Sequence, residues 1–408
     1  MRQGDILRNV TLLGVCQALF YMANTIAIST SPLVGLQYAP SPALATLPLG
    51  AQFLGTMLTT LPASYLMKWL GRRGGLLIGA GFAVLAGLLG AEAIRRGSFP
   101  LFVLGGFLYG MFGAFAQYYR FAAADAADAG VAEGAAARRA RAIGWVMAGG
   151  VVAAVVGPEL AKITREALPP FIFAGSYLAI AALGAASLVI LALLRMPRPN
   201  LAERRRGGRP LGEILRTPGA ATAILAAVVA YVTMNLLMTA TPLAMAGCGH
   251  SFADTARVIQ WHVVGMFAPS FVSGHLIARF GAQRVILAGV LFMVLTVAIA
   301  ESGLEVEHFA AALFLLGLGW NFMFVGGTTL LTSCHRPEEK AKVQGMNDLV
   351  LFTSVTLSAG SSGALENLLG WQTLNLLTLP GLVLVATVTL AAMRRRVPEP
   401  AVECGARR

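Results

Sequence analysis

The chain has little of what a soluble enzyme or a secreted scaffold requires. Only 12% of its 408 residues are charged, against 57% hydrophobic. Its mean hydropathy of +0.71 is far above that of a soluble domain of this length. Its four cysteines, Cys16, Cys248, Cys334 and Cys404, are scattered too widely to form a disulfide framework. The sequence contains no glycine-rich nucleotide motif and no catalytic constellation, which argues against an enzyme.

What it has instead is long apolar runs. Stretches of about 20 residues, enough to cross a bilayer as helices, recur from end to end. We place twelve, at roughly 9–36, 43–67, 75–94, 99–124, 140–164, 171–195, 219–246, 254–278, 284–302, 308–332, 343–365 and 372–393. All are expected to be helical, because lipid offers backbone polar groups no partner outside their own helix. The first run follows Arg2 and Arg8 but is too long for a secretory signal, and no clean cleavage site follows it.

The net charge of +12 would suit nucleic acid if it were clustered. With the amino terminus inside, only Arg95, Arg96, Lys162, Arg165 and Arg257 of the 31 basic residues stay outside. That asymmetry follows the positive-inside rule. It predicts a multi-pass protein of the bacterial inner membrane with both termini cytoplasmic and no nucleic-acid partner.

The polar, basic stretch Arg195 to Gly219 separates two six-span halves. The expected domains are residues 1–195, a linker at 196–218, a second half at 219–396 and a tail at 397–408. Sliding the first half by 210 positions places Tyr21 on Tyr231, Pro32 on Pro242, Gly55 on Gly265 and Gly71 on Gly281. A duplicated six-helix unit predicts alternating access around a site near the midplane. Tyr21, Asn24, Gln52, Tyr231 and Asn235 are the expected cavity lining.

The loop Ser64 to Arg73, its counterpart Gly274 to Arg284, and Gly144, Gly157 and Pro158 in span 5 carry a resemblance. They resemble the motifs of the major facilitator superfamily, which implies an all-α fold of twelve transmembrane helices in two pseudo-symmetric halves. The chain departs from the family where Lys68 replaces the usual Asp. It also lacks the Arg common within span 4 of proton-coupled exporters, since Gly106, Phe107 and Leu108 occupy that region. In the superfamily this loop helps to hold one gate closed. Arg72 or Arg73 is expected to meet Asp125, and Lys68 to face Asp348, with Arg279 in the counterpart loop. The alternative is that these charges only fix topology.

Two patterns stand out in the second half, Met234-x-x-x-Met238 and His262-x-x-x-Met266. A spacing of four places each pair on one helix face. Three thioethers and one imidazole form a soft ligand set suited to Cu(I). At ~1.5 Å per residue, Met238 and His262 fall at matching depths, and so do Met234 and Met266. Under the 210 offset the four fall on Asn24, Ile28, Gln52 and Thr56, none of which repeats the ligand set. Gln52 or Asn24 is expected to hold the second imidazole nitrogen. The other reading is a packed Met-rich seam with His262 hydrogen-bonded inside the bundle.

The quartet resembles the copper-binding motifs of the CcoA-type copper importers. That resemblance implies copper, as transported substrate with no other cofactor, taken up for haem–copper oxidase assembly. It also implies a cytoplasmic copper chaperone or reductase as partner. Cys248 and His250, and Cys334 and His335, would form accessory relays or be incidental. A related branch is linked to riboflavin uptake, so two alternatives stand beside copper import. One is transport of a small organic solute such as a flavin or drug, with or without proton coupling. The other is a copper receptor that does not transport.

Overall fold

The structure is a computed structural model. It describes residues 3–127, 135–196, 211–332 apart from 216 and 218, and 334–394 apart from 336–338. Among these residues every regular element is helical. The crossings are α1 (Gln3–Tyr38), α2 (47–70), α3 (72–96), α4 (Phe99–Ala127), α5 (Ala135–Thr164) and α6 (Ala174–Ala192). They continue with α7 (Ala220–Gly247), α8 (Phe252–Phe280), α9 (Ala282–Ser302), α10 (Val306–Thr332), α11 (340–369) and α12 (371–394). The expected linker lies mostly outside the described residues, as does the tail with Cys404. The short helix Leu211–Leu215 buries Ile214 against Ala223, Leu331 and Val343.

Glycine decides where two long helices divide. The apolar stretch Met346–Arg394 holds 49 residues. At 1.5 Å per residue it would measure ~74 Å, more than twice the ~30 Å hydrocarbon core. It breaks at Gly370 (φ 74°, ψ 167°), so α11 and α12 are separate crossings. Gly71 (φ 77°, ψ 165°) divides α2 from α3 in the same way, and Gly281 (φ 83°, ψ 151°) divides α8 from α9. Such backbone angles suit glycine alone. Gly71 and Gly281 are repeat-related by the 210 offset, so the internal duplication extends to backbone conformation.

The same symmetry governs helix crossings. A Cβ on Gly55 would overlap the Phe107 carbonyl, and one on Gly265 would overlap the Phe314 carbonyl. Gly110 and Gly317 lie equally close to the carbonyls of Gln52 and His262. Here α2 crosses α4, and α8 crosses α10, backbone against backbone. Small residues permit that approach inside a membrane. The α2–α4 register repeats in α8–α10 with an offset of 207 on the second helix.

The halves meet mainly along α2 with α11 and α5 with α8. Because crossings alternate, the Tyr38–Pro42 turn lies on the face opposite the amino terminus. On that far face Thr46 Oγ1 accepts from the Gly363 N–H (2.9 Å) and donates to the Gly360 carbonyl (3.3 Å). A Cβ on Gly50 would stand 2.7 Å from Gly360 Cα. Phe173, on the first half, meets Phe252 of the second edge to face at 5.3 Å. The Arg165 guanidinium lies over both rings, at 5.6 and 5.4 Å. Phe173 sits at φ 70°, the left-handed region, and its N–H donates to the Arg165 carbonyl at 2.7 Å.

Candidate functional site

Five aromatic rings gather between the halves at mid-membrane. Tyr21 on α1 meets Phe267 on α8 at 4.8 Å, a contact from one half to the other. Phe267 lies 6.5 Å from Trp320 on α10. Trp320 stacks on Phe324 at 5.1 Å with only 10° between planes. Tyr231 on α7 stands edge-on to both, at 5.4 and 5.3 Å. Tyr21 and Tyr231 are the repeat-related tyrosines of the sequence, and Phe267, Trp320 and Phe324 were not singled out there. The available signal was the 207 offset, which sets Trp320 against Gly113 and Phe324 against Gln117. The platform exists on one side only.

Polar side chains adjoin these rings. Gln52 Nε2 donates to Asn24 Oδ1 at 3.0 Å, so two of the three expected cavity residues of the first half hold each other. This corrects their assignment as partners of His262. The His262 Nδ1 pairs instead with the Leu313 carbonyl of α10 at 2.7 Å. A carbonyl only accepts, so Nδ1 carries the proton and Nε2 keeps a lone pair. That Nε2 has no partner, and His262 is fully buried. Asn235 and Thr239, one turn apart on α7, are each 1% exposed, with neither side chain hydrogen-bonded. The Trp320 indole N–H is unpartnered as well.

Met234, Met238 and Met266 lie in one buried apolar cluster with Leu237, Val258 and Trp320. The structure therefore brings the three thioethers to one region, with His262 on the same helix as Met266. A thioether is uncharged and flexible, and it fills such a seam as a hydrophobe. Among the described residues, no three His, Cys, Asp or Glu side chains come together to hold a metal ion.

The accessory positions are dispersed. His250 Nε2 pairs with the Leu304 carbonyl at 2.7 Å. Cys248 is exposed beside it in the far-face loop. Partial desolvation and the carboxylates of Glu366 and Glu305 push its thiol above the ordinary range, which disfavours the thiolate. Cys334 is buried and donates to the Leu330 carbonyl at 3.3 Å, next to His335.

Among the gating residues, Arg72 Nε donates to Asp125 Oδ2 at 2.9 Å, the pair expected from the loop motif. Arg73 Nη2 donates to the Ala192 carbonyl at 2.6 Å, and the Arg279 guanidinium lies over Phe280 at 5.3 Å. The expected Lys68–Asp348 pair falls on a Lys68 side chain outside the described residues. Asp348 accepts from Asn347 Nδ2 at 3.3 Å. A residue the sequence reading counted only as a topological charge adds to this region. Arg120 stands over Phe121 at 4.9 Å, its Nε buried without a hydrogen-bond partner.

Comparison with known proteins follows from this geometry. The family model described as Major Facilitator Superfamily matches residues 13–259 and 224–407. The chain is 43% identical over 398 residues to the riboflavin transporter RfnT of Brucella anthropi, covering 97% of both chains. It is 30% identical over 339 residues to the uncharacterized transporter YddS of Bacillus subtilis, covering 77% of this chain and 73% of the other. A solved bacterial homologue of the human lysosomal transporter Spinster, inward-facing and unoccupied, aligns with a TM-score of 0.71 at 15% identity. That alignment covers 97% of this chain and 98% of the other. The expected cargo is corrected by the first of these relatives. Copper import, copper binding for it and supply to a haem–copper oxidase give way, because a near full-length relative is a riboflavin transporter. The organic-solute alternative is the better supported one.

Proposed function

The chain belongs to the major facilitator superfamily, and from that premise we propose that it takes up a flavin by alternating access. The observation that carries this reading is the aromatic cluster between the halves. A planar tricyclic ring needs flat apolar partners, and the parallel Trp320–Phe324 pair with Tyr231 and Phe267 supplies them. The relative of Brucella anthropi supports the same cargo. Far-face contacts at Thr46, Gly50, Phe173 and Arg165 form one gate of the cycle. The space beside Arg120 and Asp348 lies towards the other. We place the protein in the bacterial inner membrane, both termini cytoplasmic.

Riboflavin is uncharged, so the membrane potential does no work on it directly. Accumulation then needs a coupled ion or chemical trapping inside. Asp348 and Arg120, ionisable groups on opposite halves, are those on which coupling would act.

The test is uptake of radiolabelled riboflavin by a riboflavin-auxotrophic bacterial host expressing the full chain. Uptake and growth at low riboflavin above the vector control are expected. A chain present in the membrane with no uptake above that control would overturn the reading.

A further inference from the structure

In the second half, several buried polar groups near the rings lack hydrogen-bond partners, and the equivalent positions of the first half are satisfied. Thr25, counterpart of Asn235, donates to the Tyr21 carbonyl at 2.9 Å. Ser29, counterpart of Thr239, donates to the Thr25 carbonyl at 2.8 Å. Gln52, counterpart of His262, donates to Asn24. In the second half Asn235 leaves both ends of its amide open, Thr239 its hydroxyl and His262 its Nε2. Trp320 adds an open N–H where the first half has Gly113. These four side chains are 0–6% exposed.

Contacts link the three helices that carry them. Asn235 and Thr239 continue the α7 face that carries Tyr231, at steps of four. Tyr231 touches Trp320. Gly317, one turn before Trp320, meets the His262 carbonyl and the Met266 backbone. Buried polar groups are nearly always paired, and a concentration of open ones asks for an explanation. Their chemistry is mixed. Trp320 only donates, His262 Nε2 only accepts, and Asn235 and Thr239 do both.

We propose that this set is the reading edge of the solute site, and that it recognises an imide: a ring N–H between two carbonyls, as in a pyrimidinedione. His262 Nε2 accepts the imide N–H. Asn235 and Trp320 donate to the flanking carbonyls, and Thr239 serves the same edge. The aromatic rings grip the faces of the heterocycle, and the first half provides a wall already satisfied within itself. The inference rests on the flavin reading and deepens it, because the flavin ring carries such an edge. A site built to hydrogen-bond a substrate group rejects an analogue lacking it far more strongly than an apolar pocket rejects a lost methylene.

The experiment compares riboflavin with 3-methylriboflavin, in which the imide N–H is replaced by N–CH₃, as competitors of labelled riboflavin uptake. The wild-type chain is expected to bind the methylated compound at least about tenfold more weakly. His262→Phe keeps a ring but removes the acceptor, and is expected to bring the two competitors to within about twofold of each other. Equal competition in the wild type overturns the imide assignment and leaves flavin transport standing. Absence of any riboflavin uptake overturns flavin transport itself. A His262→Phe chain that loses both compounds in equal proportion, keeping the wild-type preference, also overturns the role of His262. If that variant does not reach the membrane, the wild-type comparison decides, with Trp320→Phe as the second variant and the same loss of preference expected.

Discussion

At the positions beside the rings, the first half closes its polar groups on itself and the second half leaves them open. Thr25 and Ser29 bond back along α1, and Gln52 bonds Asn24 across to it. Their counterparts Asn235, Thr239 and His262 hold buried atoms with no partner. The backbone frame is shared: Gly71 and Gly281 have the same conformation, and the close crossings at Gly55 and Gly265 match. A duplicated scaffold has thus kept its crossings and changed its chemistry on one side. An unsatisfied buried polar group costs about 1–3 kcal/mol. On the reading proposed above, a bound solute completes these and offsets that cost.

Four substitutions would break or sharpen this contrast. The largest effect should come from Trp320→Ala, which removes the stacked ring that Gly113 never had. A buried aromatic anchor is worth about 2–3 kcal/mol, so the riboflavin KM should rise about 30–100-fold. An unchanged KM would remove the platform from the site. Asn235→Thr installs the first half's residue in the second. The hydroxyl should bond the Tyr231 carbonyl as Thr25 bonds Tyr21, stabilising the protein by about 1 kcal/mol in thermal unfolding. Affinity should fall about tenfold, the equivalent of 1.4 kcal/mol. Gains in both stability and affinity would contradict the idea that the open amide serves the solute.

Thr46→Val tests the contact between halves instead of the contrast within them. It removes two hydrogen bonds of the far-face seal, each worth about 0.5 kcal/mol. The population open on that face should rise about fivefold, read by alkylation of a cysteine introduced near Gly363, with little change in thermal stability. Asp125→Asn should have the smallest effect. The Arg72–Asp125 pair is half in solvent, and such pairs contribute about 0–1 kcal/mol. Uptake should change about twofold or less.

The twelve crossings were legible because a bilayer imposes length and helicity on any apolar run. The repeat was legible because close helix crossings and left-handed turns preserve glycine. The Arg72–Asp125 pair was legible for a similar reason, since a loop motif fixes local geometry. The cargo was not. A spacing of four shows that Met234 and Met238 share a face, but a thioether serves equally as a ligand and as packing. The sequence also gave no sign that Gln52 would bond Asn24 and leave His262 to the Leu313 carbonyl. The first depends on how α2 is rotated against α1, and the second on how α8 is rotated against α10, where Gly265 and Gly317 meet the facing backbone. Charge counting assigns Arg120 to a side of the membrane and says nothing of its burial, and its Nε is buried without a hydrogen-bond partner.

Phe173 has one further consequence. A left-handed backbone on a bulky residue costs roughly 1–3 kcal/mol, and here it is held by rings and a guanidinium drawn from both halves. When those partners separate, the residue is free to relax to ordinary angles. On the alternating-access reading such a clasp would act as a cocked spring, with part of the work of parting the two halves loaded into one peptide unit, and Phe173→Gly would unload it.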